Sequence, residues 1–345
     1  MFKGSQIRTA LAVPAFIAWL TACGGGGMGS SVAPAPVTPN AAGNIPTSTS
    51  GTTTSVQSIT VSNSDLAAAA RSTNLKRHVY AKRATLGTRS RVYPADMTYF
   101  GGPVVREAKI YNLYVLPNGA KSFAGQPQTD NFTGRLDHGQ LIHVLDQYVG
   151  ATFSGRYPFA KSFFISYAAF TTLADNDVLA IVHAGAAAAK DGSYHAIFNV
   201  FLPQGVDVCF TGVADCNASF TSPAPSFCAY HASVDFADTQ HHILFTVQPY
   251  QVPDFCGQPL QPGMSDSPNG LQQDSTESTL SHEISETITD PDPISGWFTD
   301  NVGVSGEIGD LCAYLPQVMI NAGKRDYLQR EYSNKQHACV ASLSD

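Results

Sequence analysis

Residues 273–290 read QDSTESTLSHEISETITD, and the helix that this stretch predicts decides the expected fold. Leu280, Ile284 and Ile288 recur every four residues and form one apolar stripe that can pack against a sheet. Asp274 is predicted as the N-cap, with a glutamate three residues later in the capping-box position. Two prolines just beyond the stretch end the helix. The pattern therefore predicts a helix that is buried along one side.

The other side of this helix carries the sequence HEISE at positions 282–286. At roughly 100° per residue, His282, Glu283 and Glu286 share an arc about 100° wide beside the apolar stripe. An imidazole and a carboxylate four residues apart can bind one ion, and Glu283 is placed to activate a bound water. The string resembles the HExxH helix of zinc peptidases, with Glu286 in the place of the second histidine. It predicts a Zn²⁺ site.

A catalytic zinc site takes three protein ligands and keeps one open position. Glu307 lies 25 residues beyond His282, a spacing similar to that of thermolysin-like peptidases. Asp310 is the alternative third ligand, or it orients His282 through a hydrogen bond. Two acidic ligands would neutralise much of the ion's charge and weaken its effect on a bound water. We therefore expect a slower hydrolase than thermolysin, or a site that binds metal without turnover.

Other interpretations of the same residues remain open or are disfavoured. Short H-E-x-x-E strings also occur by chance on solvated helices, where the side chains only face water. The histidines at 195, 231, 241 and 242 are expected to be satisfied or exposed residues and not ligands, because two of them open a strand and two are isolated. The chain has no Gly-x-Ser-x-Gly elbow and no phosphate loop, which argues against a serine hydrolase and a nucleotide-binding protein.

The first residues have the pattern of an export signal. A basic start and a short apolar run at 10–20 precede the sequence LTAC at 20–23, which matches the lipobox of bacterial lipoproteins. We expect residues 1–22 to be a signal peptide and Cys23 to carry the lipid that anchors the protein to a membrane. The alternative is an ordinary signal peptide with an incidental cysteine. The expected location is the bacterial outer membrane, on its periplasmic or cell-surface side.

Residues 23–91 are predicted to be a linker. The part up to about residue 70 is rich in Gly, Ser, Thr, Pro and Ala and is expected to be disordered. From 71 to 91 there are seven basic and no acidic residues, which suggests a solvated linker or contact with anionic lipid headgroups. The predicted domain, 92–345, has 26 acidic and 11 basic residues, a net charge of −15. This charge argues against nucleic acid as a partner.

Six cysteines follow Cys23, and an even number in an exported protein predicts three disulfides. The sequence alone allows fifteen pairings. We expect three bonds: Cys209–Cys216, Cys228–Cys256 and Cys312–Cys339. A zinc–cysteine site is disfavoured because no two cysteines have CxxC spacing.

Inside the predicted domain, strand and helix patterns alternate. Strands are expected at 108–116, 163–170, 196–202 and 242–250, and helices at 139–149 and 177–188. This order predicts a single α/β (or α+β) domain that disulfides stabilise. The metal-site helix would pack on a mixed sheet, in a zincin-like arrangement.

Several stretches of the domain together resemble a known family. The most specific are LSHEISE at 280–286, TDP at 289–291, GWF at 296–298 and GEIGDLC at 306–312. Weaker matches are YFGGPV at 99–104, VFLP at 200–203, FCAYH at 227–231 and VQPY at 247–250. From about residue 99 to 339, the chain resembles the exordium-like, or phosphate-induced protein 1, family of plant extracellular proteins, which has bacterial members.

The resemblance implies an extracellular protein linked in plants to growth and the cell wall, and it carries no established reaction. Some plant members lack the His–Glu pair. The segment between Cys312 and Cys339 is short and basic here, whereas plant members have a longer glycine-rich stretch, so the substrate cleft is expected to differ.

Two functions are carried forward. The leading hypothesis is a lipid-anchored zinc-dependent peptidase, or zincin-like metalloprotein, that hydrolyses peptide bonds. The alternative is a non-catalytic cell-surface module that binds polysaccharide or a host or cell-wall component, with exposed aromatic residues such as Trp297 and Phe298 stacking on sugars. A third outcome is that the motif only ties its helix to the segment at 307–310 by hydrogen bonds.

Overall fold

The computed structural model describes residues 56–83, 96–117, 120–168, 171–238, 241–299, 306–321 and 326–343. Its helices are α1 Asn63–Ala69, α2 Gln126–Leu136, α3 Asp146–Val149, α4 Asp175–Ala189, α5 Pro253–Cys256 and α6 Leu271–Thr289, with 3-10 turns at Leu141–Leu145 and Asp310–Cys312. Its strands are β1 Gln57–Thr60, β2 Thr73–Ala81, β3 Thr98–Tyr99, β4 Lys109–Leu116, β5 Phe159–Ser166, β6 Thr172–Leu173, β7 Ser193–Phe201, β8 Asp207–Val208, β9 Cys216–Asn217, β10 Pro225–Asp235, β11 His242–Gln248, β12 Trp297–Phe298, β13 Val318–Asn321, β14 Asp326–Leu328, β15 Glu331–Ser333 and β16 Ala338–Val340.

A mixed sheet of eight strands organises the described residues. Its order is β1-β5-β4-β7-β11-β10-β2, with β9 paired to β10. The first five strands of that order run parallel, and β10 runs antiparallel to both β11 and β2. Both faces of the parallel part are covered, which is why β4 and β7 are almost continuously buried. The prediction of a mixed α/β fold with a mixed sheet is confirmed.

Alternate residues of each strand face two separate cores. On β4, Leu113 and Val115 pack with α1 and α4, whereas Ile110 and Tyr114 pack on the other face with α2 and α6. The apolar stripe of α6 faces the sheet as predicted, since its three large apolar residues are fully buried in this second core. The helix therefore lies flat against the sheet, next to β10 and β11.

The start of α6 differs from the prediction. The helix begins at Leu271, after Gly270, and so Asp274 lies in its first turn and is not the N-cap. The carboxylate of Asp274 instead accepts hydrogen bonds from Ser267 and Asn269 in the preceding loop. Its negative charge still stabilises the N-terminal end of the helix dipole.

The folded domain begins earlier than residue 92. Strand β1, helix α1 and strand β2 all lie in the segment predicted to be a linker, and both strands belong to the large sheet. The composition of these elements gives little signal. Three of the seven residues of α1 are alanine and the helix packs on α4, and β2 is an edge strand whose basic side chains partly face solvent. Residues 1–55, with Cys23, and residues 84–91 lie outside the described part.

Most predicted elements are confirmed with small shifts of their ends, namely the strands at 108–116, 196–202 and 242–250 and the helix at 177–188. The strand predicted at 163–170 runs instead from Phe159 to Ser166. The helix predicted at 139–149 is a 3-10 turn followed by the short α3. Strand β10 was not predicted, because the sequence FCAYHAS has few of the β-branched residues that signal a strand.

All three disulfides form as expected: Cys209–Cys216, Cys228–Cys256 and Cys312–Cys339. The second joins β10 to α5, and the third joins the 3-10 turn at Asp310–Cys312 to β16. None of the helices in the described residues is both long and apolar enough to cross a bilayer.

Candidate metal site

The side of α6 that faces away from its apolar stripe is polar, and it is buried as deeply as the stripe. His282, Glu283 and Glu286 are each 0% exposed. From Asp274 to Thr289, every residue except Thr276 is buried. Removing charged groups from water costs several kcal/mol for each ion unless partners compensate. Such a helix needs compensating groups from neighbouring elements.

Two of those groups are histidines on adjacent strands. His231 on β10 lies directly opposite His78 on β2 in the sheet register, and their rings are 5.9 Å apart. The flanking residues Tyr230 and Ala232 pack into the core on the α4 side. Because side chains alternate along a strand, His231 must point to the α6 side. The antiparallel end of the sheet thus brings two imidazoles to the polar side of α6.

Two carboxylates come from the segment that follows α6 in the sequence. Glu307 and Asp310 lie just before Cys312, whose disulfide attaches this turn to β16. The backbone N–H of Asp310 donates to Glu286 Oε1 at 3.2 Å, which fixes the turn against α6. Both carboxyl groups are therefore held where α6 and the two strands meet.

Six of these side chains form a closed ring in which imidazoles and carboxylates alternate. The successive N–O distances are 3.0 Å for His282–Glu286, 3.4 Å for Glu286–His231, 3.5 Å for His231–Glu307, 3.3 Å for Glu307–His78, 2.6 Å for His78–Asp310 and 3.7 Å for Asp310–His282. Glu283 completes the set, with its Oε2 3.5 Å from His231 Nδ1. We call these seven side chains the ring cluster.

The ring cluster contains two groups whose ligand atoms lie close enough to share an ion. One group is His282, Glu286 and Asp310, and the other is His231, Glu283 and Glu286; within each, the atoms lie within 4.8 Å of one another. Several buried atoms of the described cluster have no hydrogen-bond partner: His231 Nδ1, His282 Nε2, Glu286 Oε2 and both carboxylate oxygens of Glu283 and Glu307. Buried polar atoms without partners are rare in folded proteins, and nitrogen and carboxylate oxygen are zinc ligands. The donor set fits a divalent cation.

The pKa values of His282 and His78 in the ring cluster are raised. Burial by itself lowers the pKa of an imidazole, but the carboxylate of Glu286 outweighs it and raises the pKa of His282 to about 10. In the same way, Glu307 and Asp310 raise the pKa of His78 to about 10 against the effect of burial. The surrounding negative charge favours any positive group at these positions.

The carboxyl groups divide into two kinds. Burial raises the pKa of Glu283 to about 7 and that of Glu307 well above its usual range. Burial acts the same way on Glu286, but the imidazole of His282 holds the pKa of that carboxyl well below its usual range. Protons therefore compensate part of the buried charge, and a bound metal ion would replace them.

Neighbouring groups orient the two buried imidazoles differently. The Nε2–H of His231 donates to the carbonyl oxygen of Asp290 at 3.2 Å, so Nδ1 carries the lone pair when the ring is neutral. Burial lowers the pKa of His231, but Glu307 and the glutamates of α6 outweigh it and raise that pKa well above its usual value. His282 has its Nδ1 3.1 Å from the amide nitrogen of Gln329, and the ring of Tyr80 stacks on it at 4.0 Å. For Nε2 of His282 to bind an ion, its proton must move to Nδ1, and Gln329 must turn its amide oxygen toward it.

The structure places all the predicted site residues in the ring cluster, but they belong to two different groups within it. His282, Glu286 and Asp310 form one group, whereas Glu307 faces His231 and His78 and is not beside His282. Glu283 lies in the same cluster, beside His231. His231, expected to be a satisfied or exposed histidine, is fully buried, and only its Nε2 makes a hydrogen bond within the described residues. His78 lies in the segment predicted to be a linker, and so the sequence does not point to it as a site residue.

His78 is the most exposed member of the ring cluster. Its side chain is 21% exposed and that of Asp310 is 4% exposed, whereas those of His231, His282, Glu283 and Glu286 are 0% exposed. The cluster is therefore closest to solvent beside His78 and Asp310. The arrangement can bind cations and exchange protons, and a large substrate would need this edge to open.

No family model, curated protein or solved structure matches the chain. The resemblance of the domain to the exordium-like family therefore stays a prediction. What the ring cluster does has to be inferred from its own chemistry: three imidazoles and four carboxyl groups from α6, β10, β2 and the segment after α6.

Proposed function

We propose that this chain is an extracytoplasmic zinc metalloprotein with a zincin-like domain, and that it hydrolyses peptide bonds. One observation carries the proposal: buried imidazole and carboxylate groups converge on the polar side of α6, and several of their atoms have no hydrogen-bond partner among the described residues. The packing of α6 on a mixed sheet, beside the antiparallel strand β10, supports the zincin-like interpretation.

Asp310 is the better candidate for the third ligand of this zinc. Its Oδ1 lies 3.7 Å from His282 Nε2, and it belongs to the same ligand group as His282 and Glu286. Glu307 is 3.5 Å from His231 and 3.3 Å from His78, so its carboxylate serves the opposite side of the ring cluster. His282, Glu286 and Asp310 would therefore hold the ion, with Glu307 close by.

When bound, zinc polarises a carbonyl group and lowers the pKa of water. Glu283 is the general base: it is the next residue after His282 and has two oxygens without hydrogen-bond partners in the described cluster. Burial raises its pKa to about 7, which suits a group that accepts and returns a proton near neutral pH. Its carboxylate takes a proton from the attacking water and passes it to the leaving nitrogen.

The substitution Glu283→Gln tests this role, because it keeps the shape of the side chain and removes the base. Hydrolysis of an unstructured protein such as casein by the zinc-loaded chain should fall by roughly 10²–10⁴-fold. Glu277→Gln is the matched control, since Glu277 is another buried carboxyl group on α6 that lies outside the ring cluster. Unchanged hydrolysis in Glu283→Gln would contradict the assignment of the base.

A second candidate function has its own observation. Strands β3 and β12 pair to form a small ribbon. Tyr99 at the end of β3 and Phe100 just after it are each 46% exposed. The ring of Phe100 stacks on Phe298 at 4.0 Å, and Tyr99 lies 5.3 Å from Trp297. Exposed aromatic faces of this kind mark binding sites, and the ribbon would suit a polysaccharide.

Co-sedimentation with insoluble cell-wall polysaccharide tests this alternative. If it is correct, the protein should pellet with the polysaccharide, and the double substitution Tyr99→Ala with Phe100→Ala should release it while the unfolding temperature stays unchanged. The exposed Phe220, 74% exposed and far along the chain from the ribbon, provides the control Phe220→Ala. Equal release by that control would remove the ribbon as the binding surface.

We also propose that a lipid on Cys23 anchors the protein in the bacterial envelope. The lipobox at 20–23 and the three disulfides, which form in oxidising compartments, support this location. Cells fed radiolabelled palmitate should label the wild-type protein but not the variant Cys23→Ala. Label retained in that variant would show that another residue carries the lipid.

A further inference from the structure

We infer that the ring cluster binds two divalent cations, and that the second one lies between His231, Glu283 and Glu286, with Glu286 bridging the pair. The inference rests on the proposed function only in that Glu286 is common to both sites. The ligand atoms of the second site are His231 Nδ1, Glu286 Oε2 and an oxygen of Glu283, none of which has a hydrogen-bond partner in the described residues.

The orientation of His231 is the first reason. Its Nε2–H donates to the backbone carbonyl of Asp290, which can only accept, and so Nδ1 is the ring atom that faces the other way and can bind an ion. Nδ1 faces the carboxylates of Glu283 and Glu286, 3.5 and 3.4 Å away. Three electron-rich atoms that face each other in a buried site repel unless a cation or a proton lies between them. A backbone carbonyl behind the ring is also the usual partner of a metal-binding histidine.

The spacing of these atoms is the second reason. An N–H···O hydrogen bond brings nitrogen and oxygen to about 2.7–3.2 Å. The two N–O distances at His231 Nδ1, 3.5 and 3.4 Å, are longer than that. They match the distance between neighbouring ligands in a tetrahedral zinc site, which is about 3.4 Å for bonds of about 2.1 Å. The gap between these three ligand atoms therefore has room for an ion.

The position of Glu286 is the third reason. Its Oε1 is 3.0 Å from His282 Nε2, on the side of the first ion, and its Oε2 is 3.4 Å from His231 Nδ1, on the side of the second. One carboxylate with an oxygen in each of two ligand groups is the arrangement of a bridging ligand. Paired ions in hydrolytic enzymes lie about 3.5–4 Å apart, a separation that one carboxylate can span.

The charge of the ring cluster is the fourth reason. With neutral imidazoles and ionised carboxylates, Glu283, Glu286, Glu307 and Asp310 contribute four negative charges in a site that is almost completely buried. One Zn²⁺ leaves two of these charges, which either protons or a second divalent ion must compensate. Uncompensated buried charge is unfavourable, so the cluster favours a second ion that replaces those protons.

A second ion gives Glu283 a further role as a ligand. In a site with one ion, Glu283 acts only as the base, and Glu283→Gln keeps all the bound metal. In a site with two ions, one oxygen of Glu283 is a ligand of the second ion and its other oxygen remains the proton acceptor, so the same substitution removes one ion of the two. The metal content of this variant therefore separates the two arrangements without any measurement of hydrolysis.

The test is the metal content of the purified full chain, made metal-free, saturated with Zn²⁺ and freed of excess ion. We expect two ions per wild-type chain and one per chain in His231→Gln and in Glu283→Gln. The control His183→Gln should keep two. His183 is also buried, but it lies on α4, on the other face of the sheet, with carboxylates at 2.6 and 2.8 Å on its two nitrogens. The unfolding temperature of each variant, measured in parallel, shows whether it folds.

The outcomes separate this inference from the proposed function. One ion per wild-type chain, unchanged in His231→Gln and lost in His282→Ala, overturns the second site and leaves the first. No ion in the wild type overturns both. Two ions that persist in His231→Gln overturn the assigned ligands. Should His231→Gln fail to fold, the wild-type chain loaded with Mn²⁺ still decides, because bridged ions give an exchange-coupled electron paramagnetic resonance spectrum and separate ions do not.

Discussion

Helices α4 and α6 cover opposite faces of the same sheet, yet they bury opposite kinds of side chain. Helix α4 buries an apolar set that includes Val178, Leu179 and Ile181, with small alanines between them. Helix α6 buries nearly its whole length, but most of the buried residues are Ser, Thr, Glu and His. The first helix stabilises the fold through the hydrophobic effect, and the second places polar groups where they are costly to keep.

Each helix also carries a buried histidine, and the two differ in their partners. His183 on α4 has carboxylates at hydrogen-bond distance from both nitrogens, from Asp65 and Asp238. His282 on α6 has an Nε2 that makes no hydrogen bond of good geometry within the described residues, although Glu286 lies 3.0 Å away. The comparison shows that a buried histidine does not by itself indicate a metal site. The indication comes from nearby nitrogen and oxygen atoms that have no hydrogen-bond partner.

The largest expected effect is on unfolding free energy. A substitution on α6 should have a cost that depends on zinc, whereas a substitution on α4 should not. Ile181→Ala should cost about 2–5 kcal/mol of unfolding free energy, with zinc or with a chelator, because it leaves a cavity in the apolar core. His282→Ala should cost about 4 kcal/mol at a free zinc concentration about a thousand times the dissociation constant, since bound ligand stabilises by mass action. With the chelator, that cost should largely disappear.

Urea denaturation of wild type and both variants, with zinc and with chelator, provides the measurement. An equal cost of His282→Ala under both conditions would mean that the polar side of α6 serves only packing and hydrogen bonding. A zinc-dependent cost of Ile181→Ala would mean that the α4 face is linked to the ion.

A smaller effect concerns pH. Glu277, on α6 but outside the ring cluster, is buried, and burial raises its pKa from 4.5 to about 7. The folded chain therefore binds this proton more tightly than the unfolded chain does. Its contribution to stability is fully present below about pH 4.5 and is lost as the pH rises through about 7. Glu277→Gln removes this dependence.

Relative to wild type, Glu277→Gln should gain on the order of 3 kcal/mol between pH 4 and pH 8. Stability curves at several pH values, each from urea denaturation, test the sign and the size. The α4 variant Ile181→Ala should keep the pH dependence of the wild type. A loss of relative stability on raising the pH would show that Glu277 is ionised and paired in the folded protein.

The smallest effect is expected from substitutions of two glycines, one within α4 and one packed against α6. A Cβ at Gly185 on α4 would lie 2.5 Å from Leu113, and a Cβ at Gly309 would lie 2.4 Å from Nδ1 of His282. Gly185→Ala should cost about 1–3 kcal/mol of stability by overpacking the core, with zinc affinity unchanged. Gly309→Ala displaces the imidazole, and we expect zinc affinity to fall about 10–100-fold, as for other changes next to metal ligands.

Zinc titration with a competing chromophoric chelator measures both affinities. If Gly185→Ala also weakens zinc binding, the two faces of the sheet are not independent. If Gly309→Ala binds zinc as tightly as wild type, then zinc binding does not depend on the close packing of Gly309 against the His282 imidazole.

The elements that the sequence predicts well are those with a strong local pattern. The four-residue repeat from Leu280 to Ile288 predicts α6 and its buried side, and the apolar run of β4 predicts a central strand. Strand β10 has alanine, serine, cysteine and histidine at positions where a strand usually has branched residues, and β2 is rich in charge. Their strand conformation depends on pairing with each other and with β11, which no local pattern reports.

The sequence by itself determined a helix with an imidazole and two carboxylates on one side, an acidic segment shortly after it, and six cysteines whose expected pairing is the one that forms. Only the tertiary structure decided that His231 and His78 face that helix, and that Asp310 and not Glu307 lies beside His282. The physical reason is that helix periodicity fixes the direction of neighbouring side chains locally. Which strands flank the helix, and in which register, depends on contacts between residues more than a hundred positions apart.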